Sequence, residues 1–330
     1  MGHHCKFWAE CHERAVYQIP HSKLSLCRVH YLANVEKRVK TLIEKKHMFH
    51  PHRGEKLLVA ASGGKDSQVL LSLLKKIYPD GLEIEALYIE LGINKRDYSR
   101  GSGIAARKYC ATLNIPFHSI SMKDTYNISM DDIHKLKEDS LKKDVGQNNE
   151  DEGFRGECSY CGTFKRYLIN KYAVENGFTA VATGHNLTDE ATSLVNNFFN
   201  VDLMFLARSG PVNDSKVPRM VPRVKPLFYI SEEEVMMYTY FAQIPHFSSE
   251  CPYAPQSPNT KLKGVLNELE TNRRGNMISL MRRYQKVMKP VIRAAKFDKK
   301  PAVSTCQTCG MTSLGKVCSF CRTIATLQEK

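Results

Sequence analysis

The sequence predicts an α/β protein with a doubly wound parallel sheet and a small cysteine-rich module at each end of the chain. Short apolar segments alternate with segments of helical periodicity between about residues 57 and 200, which is typical of a parallel sheet covered by helices. Seven of the eleven cysteines lie close to the two ends. A chain of 330 residues is also longer than one average domain, so a large core with appended modules is expected.

The alternating segments are predicted from apolar spacing and from the turn residues between them. They are strand 57–61, helix 65–77, strand 82–90, helix 100–113, strand 116–122, helix 162–176, strand 178–183 and helix 188–200. A charged helix, 35–50, precedes them, and the polar stretch 135–157 predicts a helix that frays into a mobile loop. Because ligands bind at the carboxyl ends of parallel strands, the loops after residues 61, 90 and 183 are expected to share one crevice.

Changes in composition divide the chain into four predicted domains. They are an N-terminal zinc module with its linking helix (1–50), an α/β domain (51–225), a helical basic extension that carries Cys251 (226–300) and a C-terminal zinc ribbon (301–330).

The charge balance predicts a polyanionic partner. The chain has 48 basic and 34 acidic residues, and its net charge is +14. Residues 272–300 contain ten Lys or Arg and one acid, Asp298, which favours an RNA-facing helix over a merely solvated face. No apolar run is long enough to span a membrane and no secretory signal is visible, so a cytoplasmic protein is expected.

Two cysteine groups have the spacing of structural zinc sites. Four thiolates at C-x2-C-x8-C-x2-C fill a tetrahedral shell, and a C-x2-H pair near the N-terminus supplies half of a second site. The predicted ligands are Cys306, Cys309, Cys318 and Cys321 in the C-terminal site and Cys5, Cys11, Cys27 and His30 in the N-terminal site. The wide gap between Cys5 and Cys11 leaves His3, His4 and His12 as alternatives to Cys5.

The middle group, Cys158, Cys161 and Cys251, offers three thiols without a fourth ligand. Three cysteines can hold three irons of a cubane cluster, can hold zinc in half of a ribbon, or can form a redox pair with a persulfide-forming partner. Cys110 is interpreted as a small apolar residue on the buried face of a helix.

The stretch S-G-G-K-D-S, residues 62–67, lies between a predicted strand and a predicted helix. Glycines let the backbone approach an anion, and the helix N-terminus points unpaired N–H groups at it, so this turn predicts a phosphate site. It is not a Walker A loop, because Asp66 rather than Ser or Thr follows Lys65.

Several motifs together make the chain similar to the TtuA-type tRNA 2-thiouridine synthetases, which include archaeal and eukaryotic wobble-uridine enzymes. They are S-G-G-K-D-S, C-x-x-C at 158–161, G-H-N-x-x-D-E at 184–190, the cysteine of SECPYA and the two terminal metal modules. The resemblance covers almost the whole chain. It implies a PP-loop ATP pyrophosphatase domain between two zinc domains, commonly in a homodimer, that replaces a tRNA uridine 2-oxygen by sulfur.

The resemblance also implies roles for individual residues. The uridine oxygen attacks the α-phosphate of ATP, pyrophosphate leaves into the loop, and sulfur then displaces AMP. Lys165 is implied as a cation near the α-phosphate, Asp189 as a catalytic or Mg²⁺-orienting carboxylate, and Asp66 as a neighbour of Mg²⁺. The expected ATP-binding residues are Ala60, Ser62, Gly63, Gly64, Lys65, Asp66, Ser67, Tyr88, Ile89, Lys165 and Gly184.

For the middle cysteines the favoured interpretation is an iron-sulfur cluster of the 4Fe-4S type, which would leave a 3Fe-4S form on loss of its open iron. Cys158 and Cys251 are then also catalytic. The alternative is thiolation through a cysteine persulfide. The wobble uridine is the favoured target over a T-loop uridine, and sulfur is expected from a ubiquitin-like carrier or from sulfide. A PP-loop amidotransferase and a zinc-rich RNA-binding protein are the other function classes.

Overall fold

The computed structural model of the protein describes residues 4–7, 11–19, 21–22, 24–51, 54–143, 156–213, 217–295 and 303–329. The strands lie in a central sheet and in two small hairpins. They are β1 Tyr17–Ile19, β2 Leu24–Leu26, β3 Lys56–Ala60, β4 Glu83–Glu90, β5 Phe117–Ser121, β6 Ala180–Ala182, β7 Val212–Asn213, β8 Arg223–Val224, β9 Ser304–Thr305 and β10 Thr312–Ser313.

The helices cover both faces of the central sheet and form the connections between its strands. They are α1 Arg28–Lys46, α2 Lys65–Ile77, α3 Tyr98–Thr112, α4 Met122–Tyr126, α5 Met130–Lys143, α6 Glu157–Glu175, α7 Leu187–Phe199, α8 Leu203–Arg208, α9 Glu232–Ala242, α10 Pro258–Asn272, α11 Asn276–Arg283, α12 Lys289–Ala294 and α13 Ser319–Gln328. Short 3₁₀ turns cover Lys95–Asp97 and Ala254–Gln256, and a π-helical turn, Tyr284–Met288, joins α11 to α12.

The central sheet has six strands in the order β5-β4-β3-β6-β8-β7. All neighbouring pairs are parallel except β7 with β8 at one edge. The predicted doubly wound parallel sheet is therefore confirmed.

Two cores lie on opposite faces of the sheet, because successive side chains of a strand point to opposite sides. Leu57 and Val59 of β3 belong to the first core, together with residues of α1, α2, α7 and α9. Leu58 between them belongs to the second core, with residues of α5, α6 and α13. The N-terminal module thus joins the first core, and the C-terminal module joins the second.

Two predicted helix boundaries are wrong, and in both cases the helix begins at a cysteine segment. α1 begins at Arg28 rather than at residue 35, with Cys27 as its N-cap. α6 begins at Glu157 rather than at residue 162, so Cys158 and Cys161 lie in its first turns. α1 starts from the extended backbone at Cys27 and α6 starts from Gly156, which precedes Cys158, in both cases before any apolar periodicity is visible. The predicted mobile loop within 135–157 falls partly on α5 and partly outside the described residues.

The predicted basic extension packs on the rest of the molecule. Tyr31 in α1 donates a hydrogen bond to the Glu234 carbonyl oxygen in α9 at 2.6 Å, and both tyrosine and glutamate are buried. The four domain boundaries stay a prediction. Among the helices that the structure describes, none combines the length and the apolar composition of a transmembrane span.

Candidate active site

The loop between β3 and α2 is held by its own hydroxyl groups. Ser67 donates to the Gly64 carbonyl oxygen at 3.0 Å and accepts a hydrogen bond from the Ser62 backbone N–H at 3.2 Å. Gly64 is the N-cap of α2, and no side chain caps this helix. The first N–H groups of α2 are therefore available for an anion, as the glycine-rich turn predicts.

The glycines around this loop differ in the space beside them. Gly63 has φ +80°, and a Cβ there would lie 2.1 Å from the Ser102 carbonyl oxygen. A Cβ on Gly184 would lie 3.0 Å from the Ser67 backbone nitrogen. A Cβ on Gly64 would approach only the Ser62 Oγ, at 3.7 Å. Gly63 and Gly184 are thus required by packing, whereas the space at Gly64 is open for a ligand.

A chain of charged side chains lies beside the loop. Lys65 Nζ is 3.2 Å from Asp66 Oδ2 and 2.8 Å from Glu232 Oε1. Lys263 Nζ is 2.8 Å from Glu232 Oε2 and 3.0 Å from Asp189 Oδ1. These five side chains, which we call the charge chain, place two ammonium groups among three carboxylates.

Asn186 closes the charge chain into a ring. Its Nδ2 donates to Asp66 Oδ1 at 2.8 Å, while its Oδ1 accepts from the Asp189 backbone N–H at 3.1 Å as the N-cap of α7. The side chain is fully buried, so its orientation is fixed. The predicted carboxylates Asp66 and Asp189 are therefore brought together, 123 residues apart in the chain.

The charges of Lys65, Lys263 and Glu232 stabilise one another. Burial acts to lower the pKa of Lys65 and of Lys263, but the nearby carboxylates outweigh it and raise both pKa values. Burial acts to raise the pKa of Glu232, but hydrogen bonds from Lys263 and Lys65 lower it. Glu232 and Lys263 carry no motif in the sequence, and sequence reasoning missed both of them. Asn186 lies in the G-H-N-x-x-D-E motif, but the motif alone assigns it no role.

Lys165 lies among the tyrosines of the crevice and the middle cysteines. The electrostatic influence of Cys161 is the largest on Lys165 and raises its pKa against burial, with further contributions from Tyr98, Tyr88 and Cys251. Its spacing from Cys158 predicts a shared helix face, but the structure gives it Cys161, one turn nearer, as the stronger neighbour. The charged form of Lys165 is therefore favoured beside the middle cysteines.

The three middle cysteines are neighbours but do not form a site for a single ion. Burial raises the pKa of Cys158, and the charges of Cys161 and Cys251 raise it further. Among the described residues, only the two terminal groups bring their ligand atoms within 4.8 Å of one another. A single zinc ion would need sulfurs about 3.8 Å apart, from a Zn–S distance of about 2.3 Å. Three cysteines can instead hold three irons of a cluster, one thiolate to each iron.

Helix α5 holds both segments that carry these cysteines. Asp131 accepts a hydrogen bond from the Tyr253 hydroxyl at 2.7 Å, two residues after Cys251. His134 and Lys137 contact the buried Glu157 at 2.9 and 3.0 Å, next to Cys158. The first turn of α6 and the segment around Cys251 are thus fixed to a common support.

Three of the expected ATP-binding residues, Ala60, Tyr88 and Ile89, lie at the ends of β3 and β4. Tyr88 is buried, and its hydroxyl donates to the Ser99 carbonyl oxygen at 2.7 Å. Ile89 is buried in the second core, and Ala60 is half-buried. Their role in binding ATP stays a prediction that depends on backbone atoms at the strand ends. His185 is held by Thr183 at 2.8 Å, and it is exposed.

The terminal cysteine groups have the geometry of metal centres. Each of the two predicted sets of four ligands brings its ligand atoms within 4.8 Å of one another, with Cys5 as the fourth member of the N-terminal set. His4, one alternative to Cys5, instead contacts the His12 carbonyl oxygen. Burial acts to raise the pKa of Cys306, but hydrogen bonds from the backbone N–H groups of Cys318, Cys309 and Thr308 outweigh it and lower this pKa to about 6. The site thus favours a thiolate, the form that binds a metal.

Comparisons with known proteins agree with this arrangement. The PP-loop domain family matches residues 32–254. The chain is 36% identical to the tRNA-5-methyluridine(54) 2-sulfurtransferase of Pyrococcus horikoshii over 96% of this chain and 92% of that protein. It is 30% identical to the cytoplasmic tRNA 2-thiolation protein 1 of Aspergillus niger, over 97% of this chain and 88% of that protein.

A solved structure has the same architecture over nearly the whole chain. The U34-tRNA thiolase NcsA from Methanococcus maripaludis, determined with its 4Fe-4S cluster, aligns with a TM-score of 0.75 and 26% identity, over 96% of this chain and 97% of that one. With the loop, the cysteine groups and these relatives in agreement, the chain belongs to the PP-loop family of TtuA-type tRNA 2-thiolation enzymes.

Proposed function

We propose that this protein thiolates a tRNA uridine at carbon 2 after activating the 2-oxygen with ATP. The observation that carries the proposal is the position of Lys165, whose charge interacts both with Tyr88 beside the phosphate loop and with Cys161 and Cys251. The Tyr88 hydroxyl contacts the Ser102 hydroxyl, and the Ser102 carbonyl oxygen packs against Gly63 in the phosphate loop. Activation and sulfur chemistry would therefore share one crevice.

The residues present suit an adenylation followed by a displacement. The uridine 2-oxygen forms a bond to the α-phosphorus, and the bond from that phosphorus to the bridging oxygen of pyrophosphate breaks. The N-terminus of α2 and Lys65 would receive the pyrophosphate, and Lys165 would stabilise the charge that develops at the α-phosphate. Sulfur then adds to carbon 2, and AMP leaves with the former uridine oxygen.

Three kinds of metal centre fit the side chains of the described residues. Cys158, Cys161 and Cys251 would hold a 4Fe-4S cluster, which when bound supplies an open iron for sulfur. Asp66 and Asp189 would hold Mg²⁺ with the nucleotide phosphates. The two terminal groups would each hold a structural Zn²⁺.

The basic face of α11 and α12 is the proposed contact for tRNA. Residues 272–295 contain seven basic residues and no acid, and Arg282, Arg283 and Lys286 are exposed. The remaining predicted members of this run, including Asp298, lie outside the described residues. A homodimer in the cytoplasm, supplied with sulfur by a ubiquitin-like carrier or by sulfide, completes the proposal.

The wobble uridine is the proposed target, and the T-loop uridine is the second candidate. NcsA from Methanococcus maripaludis, which aligns over almost the full chain, is a U34-tRNA thiolase. The relative from Pyrococcus horikoshii, which is 36% identical, is a tRNA-5-methyluridine(54) 2-sulfurtransferase. Two tRNA substrates separate the positions: one keeps 5-methyluridine 54 and lacks uridine 34, and the other keeps uridine 34 and lacks 5-methyluridine 54. Only the substrate without the target position should fail to be thiolated.

The test of the function is pyrophosphate release from ATP with and without tRNA, followed by mass spectrometry of the tRNA nucleosides. Release that depends on tRNA, with formation of 2-thiouridine, supports the proposal. RNA binding without pyrophosphate release would support the RNA-binding alternative instead.

A second experiment separates the cluster from a cysteine persulfide. The protein is reconstituted without oxygen, its iron and sulfide are counted, Mössbauer spectra are recorded, and thiolation is compared with that of Cys251→Ala. Full thiolation by rigorously iron-free protein would exclude the cluster mechanism and leave the persulfide alternative in place.

A further inference from the structure

Two members of the charge chain, Glu232 and Lys263, lie outside every motif in the sequence. Glu232 is the first residue of α9, and Lys263 lies in the second turn of α10. Both side chains are only 28–29% exposed, and each bridges two oppositely charged partners. Their partners Lys65 and Asp189 belong to the loop and the G-H-N-x-x-D-E motif that are proposed to act on ATP.

A nucleotide phosphate would compete with Glu232 and Asp66 for Lys65. The three carboxylates and two ammonium groups carry a net charge of −1, so every cation of the chain is already neutralised. Glu232 is shared between Lys65 at Oε1 and Lys263 at Oε2, so a phosphate that draws Lys65 away leaves Glu232 to Lys263 alone. Lys263 keeps Glu232 and Asp189 as its partners, and its contact with Glu232 strengthens when Lys65 no longer shares that carboxylate.

Lys263 is also the end of a segment that carries Cys251. Residues 247–263, which we call the strap, contact the nucleotide loop at their other end as well, because the Phe247 N–H donates to the Gly63 carbonyl oxygen at 2.9 Å. The Phe247 ring packs so closely on Gly101 that a Cβ there would lie 2.4 Å from it. Cys251 is therefore carried between two contacts with the nucleotide site.

We propose that Glu232 and Lys263 are positioning residues that couple occupancy of the nucleotide loop to the placement of the strap and its Cys251. The inference rests on the proposed function for its nucleotide and its reaction. Nucleotide binding transfers Lys65 from Glu232 to the phosphates, and the Glu232–Lys263–Asp189 contacts then fix the α10 end of the strap. Cys251 would therefore be held in a defined position when the nucleotide is bound for adenylation.

The test is hydrogen exchange of the strap in the full chain, with and without Mg²⁺ and α,β-methylene-ATP, which cannot be cleaved between its first two phosphates. We expect the nucleotide to change exchange in residues 247–263 of the wild type, and to leave it unchanged in Glu232→Gln and Lys263→Gln. Lys261→Gln removes an exposed lysine of the same helix and should behave as the wild type does. Lys263→Arg should retain the response.

Steady-state kinetics of thiolation distinguish a positioning role from a merely structural one, because only a positioning role should change kcat without changing KM for ATP. Each glutamine variant should lower kcat for thiolation by about tenfold with little change in KM for ATP, and the double variant should lose no more than either single variant, because coupled residues act together. Equal melting temperatures of the variants and the wild type exclude misfolding as the cause of a lower kcat. If a glutamine variant unfolds, Lys263→Arg can still be compared with the wild type.

The inference is overturned if the nucleotide changes hydrogen exchange in the strap of Lys263→Gln as it does in the wild type. If the wild type still thiolates tRNA in that case, the proposed function remains intact. Wild-type protein that releases no pyrophosphate and forms no 2-thiouridine would instead contradict the proposed function.

Discussion

Gly63 and Gly64 are adjacent, but the structure gives them different tasks. Gly63→Ala should lower the melting temperature, because its Cβ would meet the Ser102 carbonyl oxygen at 2.1 Å at a positive φ. Gly64→Val should leave the melting temperature nearly unchanged and abolish pyrophosphate release, because its side chain would fill the open space over the N-terminus of α2. Calorimetry and a pyrophosphate assay measure the two effects. Retained tRNA-dependent release in Gly64→Val would contradict the phosphate loop.

Lys165 should contribute to catalysis rather than to stability. Lys165→Met should lower tRNA-dependent pyrophosphate release by roughly 100- to 1,000-fold, the usual effect of removing one charge that stabilises a transition state. Lys171→Met is the matched control, because Lys171 lies on the same helix and makes a surface ion pair with Glu175. A similar loss in both variants would assign the effect to α6 as a whole.

Lys289 is half-buried, and burial together with the charges of Arg293, Lys46 and Lys225 lowers its pKa to about 8 from 10.5. A folded pKa below the unfolded value means that the charged form costs stability at low pH, so the free energy of unfolding should rise between about pH 8 and 10.5.

Affinity for tRNA should change in the opposite direction over this pH range. Above pH 8 the free protein must take up a proton to bind a phosphate at Lys289, which weakens binding by at most about tenfold per pH unit. Lys289→Arg keeps its charge and should bind tRNA equally at pH 7 and pH 9. Fluorescence titrations at constant salt measure both proteins, and identical pH profiles would place the phosphate away from Lys289.

Residues that lie in a motif could be identified from the sequence, and residues that act through the fold could not. Asp66 and Asp189 are visible because each lies in a recognisable pattern at the end of a predicted strand. Lys263 is one lysine in an ordinary helix, and its partner Asp189 is 74 residues away in the chain. Only the packing of α10 beside α7 brings the two together.

At the scale of elements, the strands and helices of the sheet follow from their apolar periods, and the short elements do not. β7 and β8 have two residues each, which is too short for any period to be visible. The starts of α1 and α6 depend on Cys27 and on the turn at Gly156. Sequence analysis therefore predicts the layers of the fold better than the edges of its elements.

The helix pair α11 and α12 should carry the salt dependence of tRNA binding. Arg282 and Arg283 are exposed in the last turn of α11, where no acid of residues 272–295 competes with a phosphate. Replacing both by Ala should make the slope of log affinity against log salt shallower by roughly 1 to 2 units, at about 0.9 per lost phosphate contact. Titrations at several salt concentrations measure it, and an unchanged slope would place the tRNA on another face.

At the scale of the whole molecule, the C-terminal module is part of the main fold. Phe320 stacks on Tyr167 of α6 with ring centroids 3.7 Å apart, and Cys306 and Cys318 are buried in the second core. Cys309→Ser should therefore lower the melting temperature of the entire protein in a single transition, at about 2–4 °C per kcal/mol lost. Calorimetry with metal analysis tests this. A separate early transition of the module, with the main one unchanged, would show that the module folds independently.

The place of the C-terminal module in the second core also has a consequence for how the chain is made. Residues 303–329 are the last of the described residues to leave the ribosome, while α6, which they cover, is complete long before. During translation the first face of the sheet can close, but the second face keeps apolar surface exposed until residues 303–329 have been made. A metal bound by the C-terminal cysteine group would therefore be needed to cover this face, and protein made without that metal should bind chaperones.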